Sequence, residues 1–139
     1  MNARLIAEHG LTVNDYDVLV QLADAPERAL RRVDLADRVL LTPSGITRLL
    51  EGLERSGYVC KRRCETDARV TYAALTDAGL QKLRTASTTH LADVERMFAE
   101  HFSEDELDTL GELLGRLATS QRCPGEGAGI DPAALAAGD

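Results

Sequence analysis

Apolar residues recur at helical spacing through most of this chain and alternate in one short stretch. Val13, Tyr16, Val18, Leu19 and Leu22 form one helical face; Thr12, with Asp15 three residues on, supplies its cap, and Ala25-Pro26 its stop. A shorter helical piece, Asn2 to Glu8, precedes it and ends near Gly10. Ala29-Leu30-Arg31 reads as a stub of strand. Val33 to Val39 reads as a brief helix, with Val33, Ala36 and Val39 or Leu40 inward. Ile46, Leu49, Leu50 and Leu53 then fall at i, i+3, i+4 and i+7 of a helix running from Thr42 to Gly57, with Pro43 at its first position.

Alternation follows in Tyr58 to Arg63 and again in Val70 to Leu75, two strands joined by the polar turn Cys64 to Arg69. Helical spacing returns after Thr76, a cap, over Asp77 to about His101, where Leu80, Leu83, Leu91, Val94, Met97 and Phe98 mark one side. Thr85 to His90 is polar, which places that part near solvent or a cavity. Ser103 to Glu106 is a capping box, and Leu107, Leu110, Leu113, Leu114 and Leu117 stripe the helix it starts. From Cys123 on, the chain is rich in Pro, Gly and Ala and reads as a loose tail over 122–139. The pattern predicts a mainly α fold with a small β-hairpin wing.

Charge sharpens this picture. The 139 residues carry a net charge of -7, which by itself argues against a polyanionic partner. The average conceals a split: Arg28 to Leu75 holds ten Lys/Arg against six Asp/Glu, and the remainder six against seventeen. A basic segment on an acidic body suits a protein that meets a polyanion with one face. No N-terminal apolar run or membrane span is evident, and three cysteines without a secretion signal suit free thiols in a reducing cytoplasm. With two Phe, three Tyr and no Trp, no base-stacking platform for single strands is expected.

The basic segment holds the chemistry. Two helices joined by a tight turn, Val33–Val39 and Thr42–Gly57, form a helix-turn-helix pattern. The start of its second helix is where such units meet base edges. Ser44 and Thr47 can hydrogen-bond bases or phosphates, and Arg48 can pair with guanine. Thr42, Pro43 and Gly45 let the helix start, with its free N–H groups, approach a phosphate. The hairpin adds Lys61, Arg62, Arg63 and, at its tip, Arg69, suited to a narrow minor groove. Double-stranded DNA is the expected partner; a winged helix used for protein contacts is the alternative.

Leu35-Ala36, Thr42-Pro43-Ser44, Arg48-Leu49, Leu53-Glu54-Arg55-Ser56-Gly57-Tyr58-Val59, Asp67-Ala68-Arg69 and Leu75-Thr76-Asp77-Ala78-Gly79 together resemble the MarR (multiple antibiotic resistance regulator) family over about Leu11 to Leu117. The resemblance implies a homodimeric, cytoplasmic transcription regulator, usually a repressor, on a pseudopalindromic operator. It implies that Asp67 sets the wing, that Arg69 reaches the minor groove, and that a small aromatic or phenolic effector releases DNA. It divides the chain into a DNA-binding part at 11–75 and a helical dimerisation part at 1–10 and 76–121. Leu5, Leu107, Leu110, Leu114 and Leu117 are the interface candidates. Family members usually have a longer first helix than the ten residues before Leu11 here, so the C-terminal helix is expected to carry more of the association.

Cys60 and Cys64 lie roughly 13 Å apart if both sit on one strand, too far to bridge. Their basic neighbours leave a thiol redox switch in the wing as a further alternative, with ordinary strand cysteines the plainer reading. The peroxide-sensing branch keeps its reactive cysteine near the N-terminus, and here none precedes Cys60. His9, His90 and His101 have no ligand spacing with the cysteines, so neither metal nor cofactor is expected. Ser44, Ser56, Ser87 and Ser103 are read as sitting in helix starts and ends, where capping explains them, and no phosphate loop or nucleophile turn occurs, so no catalysis is expected.

Overall fold

The computed structural model of the protein describes residues 2–64, 67 and 69–120. Helix α1 (Asn2–Arg4) runs into a π-helical turn, Leu5–His9, which Gly10 closes at φ 65°. Helix α2 (Val13–Asp24) follows, then a 3-10 turn (Pro26–Arg28), strand β1 (Ala29–Arg31), α3 (Arg32–Arg38) and α4 (Pro43–Arg55). The hairpin β2 (Val59–Arg63) and β3 (Thr71–Leu75) precedes α5 (Asp77–Ala99) and α6 (Glu104–Ser120). The sheet is antiparallel in the order β1-β3-β2, with Leu30 opposite Ala73 and Lys61 opposite Ala73 from the other side. The fold is mainly helical with a small three-stranded wing.

Capping fixes most boundaries. Thr12 accepts from the Asp15 N–H at 3.1 Å while the Asp15 carboxylate accepts from the Thr12 N–H at 2.8 Å. Ser103 and Glu106 share the second bond of that pair, Ser103 N–H to Glu106 Oε2 at 2.9 Å. The core gathers Val18, Leu19 and Leu22 of α2, Leu35 of α3, Ile46, Leu50 and Leu53 of α4, and Leu83 and Ala86 of α5.

Three expectations are corrected. On α3, Ala36 is buried and the following Val39 packs against the core as expected, but Leu35 rather than Val33 completes the inward face: Leu35 is wholly buried and Val33 62% exposed. Seven residues span two turns, too few for periodicity to fix which face turns inward. Within Thr85–His90, Thr85 and Thr88 are exposed as expected, but Ala86 and Ser87 are buried, where the Ser87 and Tyr16 hydroxyls hydrogen-bond at 3.1 Å across the α2–α5 seam. Leu5, an expected interface residue, is fully buried within this chain. His9 bonded to Thr89 at 2.7 Å, and Arg4 paired with Asp93 at 2.5 Å, fold its segment back onto α5.

The α6 stripe differs from all of this. Leu107 and Leu110 are half-buried, and Leu113, Leu114 and Leu117 are exposed. The expected tail over 122–139, Cys123 included, lies outside the described residues. No described helix is long and apolar enough to cross a membrane.

Candidate nucleic-acid interface

The start of α4 is built from short-range bonds that its sequence dictates. Thr42 stands extended at the N-cap and accepts the Gly45 N–H at 3.1 Å. A Cβ on residue 45 would lie only 3.1 Å from that same hydroxyl, so glycine keeps the cap uncrowded. Ser44 Oγ lies 3.3 Å from Thr42 Oγ1, and Thr47 donates to the Pro43 carbonyl at 2.8 Å while accepting from Arg32 at 3.5 Å. With Ile46, Leu50 and Leu53 buried, helical spacing puts Ser44, Arg48, Glu51 and Arg55 on the opposite face. Ser44 and Arg48 are exposed there, at the N-terminal end.

The wing supplies the second half. Strand alternation sends Lys61 and Arg63 to one face and Cys60 and Arg62 to the other. Lys61 pairs with Glu54 of α4 at 3.1 Å, and Arg62 with Glu27 of the 3-10 turn at 2.7 Å. Arg48 and Arg63 are exposed with no acidic side chain at ion-pair distance among the described residues. Lys61 and Arg62 thus brace the wing, and Arg48 and Arg63 stand clear of carboxylates among the described residues.

At the tip, the Asp67 carboxylate accepts the Arg69 backbone N–H at 3.0 Å and the Arg69 guanidinium at 3.2 Å. Those two bonds, the backbone one foremost, hold the Asp67 carboxyl below its ordinary range. Val70 N–H to Asp67 carbonyl, and Cys64 N–H to Val70 carbonyl, both at 3.0 Å, close the turn. The Arg69 side chain remains 91% exposed. Of the two wing cysteines, Cys60 is exposed and Cys64 half-buried.

Sequence reasoning missed what anchors the wing. Thr76 donates from its hydroxyl to the Gly57 carbonyl at 2.7 Å and from its N–H to the Tyr58 carbonyl at 3.1 Å, and it accepts the Gly79 N–H at 3.0 Å. A Cβ on Gly79 would meet the Leu75 side chain at 2.7 Å and press into the Tyr58 carbonyl. The Leu-Thr-x-x-Gly run is therefore a close-packed junction between the end of α4, the wing base and α5. Its signal was a threonine cap followed three residues later by a glycine inside a helix, where glycine is otherwise disfavoured. Arg32 and Glu27 were also missed, because their partners lie 15 and 35 residues away.

The α2–α5 seam holds the other unusual group. His90 packs against the Tyr16 ring at 4.6 Å, and burial holds its pKa below the ordinary value, with Asp93 opposing. Burial likewise raises the Tyr16 hydroxyl, against the Ser87 bond. Among the described residues no group of His, Cys, Asp or Glu is arranged to hold a metal ion.

Comparison with known proteins places this geometry. Residues 9–70 match the model of the MarR family. The chain is 32% identical over 111 residues to the HTH-type transcriptional repressor YetL of Bacillus subtilis (strain 168), spanning 80% of this chain and 66% of that protein. Sco3205, a MarR family transcriptional regulator from Streptomyces coelicolor solved in complex with DNA, superposes with a TM-score of 0.72 at 28% identity over 88% of this chain and 77% of that one. AbsC, a MarR family transcriptional regulator from the same organism, superposes with a TM-score of 0.69 at 30% identity over 86% and 82%.

Proposed function

From the premise that this chain belongs to the MarR family of transcriptional regulators, and is not an enzyme, we propose that it is a homodimeric repressor that binds a pseudopalindromic DNA operator and releases it when a small aromatic or phenolic effector binds. The observation that carries the DNA reading is the joint exposure of Ser44 and Arg48 on the outer face of α4 with Arg63 and Arg69 on the wing. In that reading the α4 start reads the major groove, and Arg69, aimed by Asp67, reaches the minor groove. Lys61 and Arg62 approach phosphates only by sharing or exchanging Glu54 and Glu27.

One feature supports the homodimer. Residues 111–117 of α6 are all exposed, Leu113, Leu114 and Leu117 among them. Leucines at helical spacing need an apolar cover, so this stripe calls for a partner. A second copy supplies one, with Leu107, Leu110, Leu114 and Leu117 at the contact. The division of labour follows: residues 11–75 hold DNA and the C-terminal helices hold the partner. The effector rests on the family relationship, with Tyr16, Ser87 and His90 as the polar groups where the winged helix meets α5.

Duplex binding measured at several salt concentrations tests the function. Affinity is expected to fall steeply with salt, and Arg69→Ala to weaken binding and flatten that slope by about one ion. Salt-independent binding, or an Arg69→Ala variant indistinguishable from the parent, defeats the reading. Half-sites in the selected DNA should lie about 10 bp apart.

A further inference from the structure

Two apolar side chains near the helix-turn-helix lie outside the core. Val33 is 62% exposed on α3, and Leu40 is 91% exposed in the turn just before α4. Leu40 also adopts φ 53°, a left-handed conformation that glycine or asparagine holds at lower cost than a leucine. The fold gains nothing from a leucine there: the conformation is unfavourable, and no burial offsets it. Outliers of this kind point to a role outside folding.

The surroundings identify the role. Val33 lines a groove of about 400 Å³ between α3 and α4, together with Leu41, Pro43, Ile46 and Thr47. Pro43 and Thr47 belong to the helix start assigned above to the major groove, so the groove continues that interface. Leu40 stands two residues before the Thr42 cap of the same helix. The edges of the bases in a major groove offer hydrogen-bonding groups and one apolar feature, the C5 methyl of thymine. Ser44 and Arg48 suit the first kind. Val33 and Leu40 have chemistry only for the second.

We propose that Val33 and Leu40 are specificity-determining residues that receive thymine methyl groups at the margins of each half-site. This inference rests on the DNA-binding reading and adds a base preference set by apolar contact. It also explains why a strained leucine occupies the turn.

The test uses the full chain, a duplex it selects from a random pool, and the same duplex with deoxyuridine replacing thymidine position by position. Deoxyuridine removes the methyl and keeps every hydrogen-bonding group. Each contacted methyl is expected to be worth about fourfold in affinity, with an unchanged salt slope. Leu40→Asn and Val33→Ser, which leave no methyl at either position, should each erase the thymine preference at one position while still binding the deoxyuridine duplex as the parent does. Leu40→Asn should also raise the thermal midpoint, which separates a recognition role from a structural one. Equal affinity of the parent for both duplexes, a selected site without thymine, or an undiminished preference in the double variant overturns the proposal and leaves DNA binding intact. Absence of any salt-dependent duplex binding overturns both.

Discussion

Helices α4 and α6 carry the same apolar repeat and end in opposite environments. In α4, Ile46, Leu50 and Leu53 are 0%, 5% and 3% exposed. In α6, Leu113, Leu114 and Leu117 are 50%, 53% and 63% exposed. Periodicity announces that a face needs covering, but it does not say by what. For α4 the cover comes chiefly from α3 and β2 of the same chain, and the outer face is left for a ligand. For α6 the described chain supplies little cover, and its three-carboxylate first turn, Glu104, Asp105 and Glu106, makes it a poor surface for a polyanion. One helix is therefore read by its polar face and the other by its apolar face.

The largest effect should separate the two helices by where the loss appears. Ile46→Ala is expected to lower folding stability by about 2–5 kcal/mol, as buried truncations do. Leu114→Asp is expected to leave the winged helix folded and to weaken self-association on the order of 30-fold. Urea unfolding at two protein concentrations, paired with sedimentation equilibrium, distinguishes them. A Leu114→Asp protein that unfolds like Ile46→Ala would place α6 in the protomer core and erase the contrast.

A second experiment sharpens the core side of the comparison through pH. Burial depresses the folded-state pKa of His90 below its ordinary 6.5, so the unfolded chain binds that proton more tightly. Stability should be insensitive to this group above pH 6.5 and should decline as pH falls from there toward the depressed value. His90→Gln should flatten that part of the profile, measured by urea midpoint. Asp93 acts lower. Burial pushes its carboxyl up, but Arg4 and then Arg96 outweigh it and hold it below 3.8, so its contribution is lost only as pH falls below that.

The smallest effect sharpens the polar side. Lys61 is tied to Glu54, and Arg48 has no acidic partner among the described residues. Glu54→Gln should free Lys61 and remove a charge from the DNA face, tightening duplex binding by roughly two- to fivefold, the scale of exposed pairs. Unchanged affinity would mean that Lys61 does not approach the backbone.

Much of this was legible from local chemistry. The caps at Thr12, Thr42, Thr76 and Ser103, the α4 stripe and the alternating hairpin all depend on residues within a turn of one another, so the chain states them directly. Even the β1 stub was visible as a short apolar run. On α3, Ala36 and Val39 were legible as inward but Leu35 was not, because two turns cannot fix a phase. Ser87 reads as polar in sequence, yet Tyr16, 71 residues away, makes it a core residue. The wing cations read alike as Lys61-Arg62-Arg63, and only the positions of Glu54 and Glu27 divide them into braces and open charges.

The sequence alone determined the helix starts, the hairpin, the concentration of positive charge between Arg28 and Leu75, and the motifs that tie the chain to its family, since each rests on short-range chemistry or composition. Tertiary structure decided the rest. It buried Leu5 against α5, clamped Gly79 under Tyr58, paired two cations, and left Val33, Leu40 and the α6 leucines outside. The physical reason is one of range: capping and periodicity act within a few residues, whereas burial and ion pairing depend on which distant segments fold together.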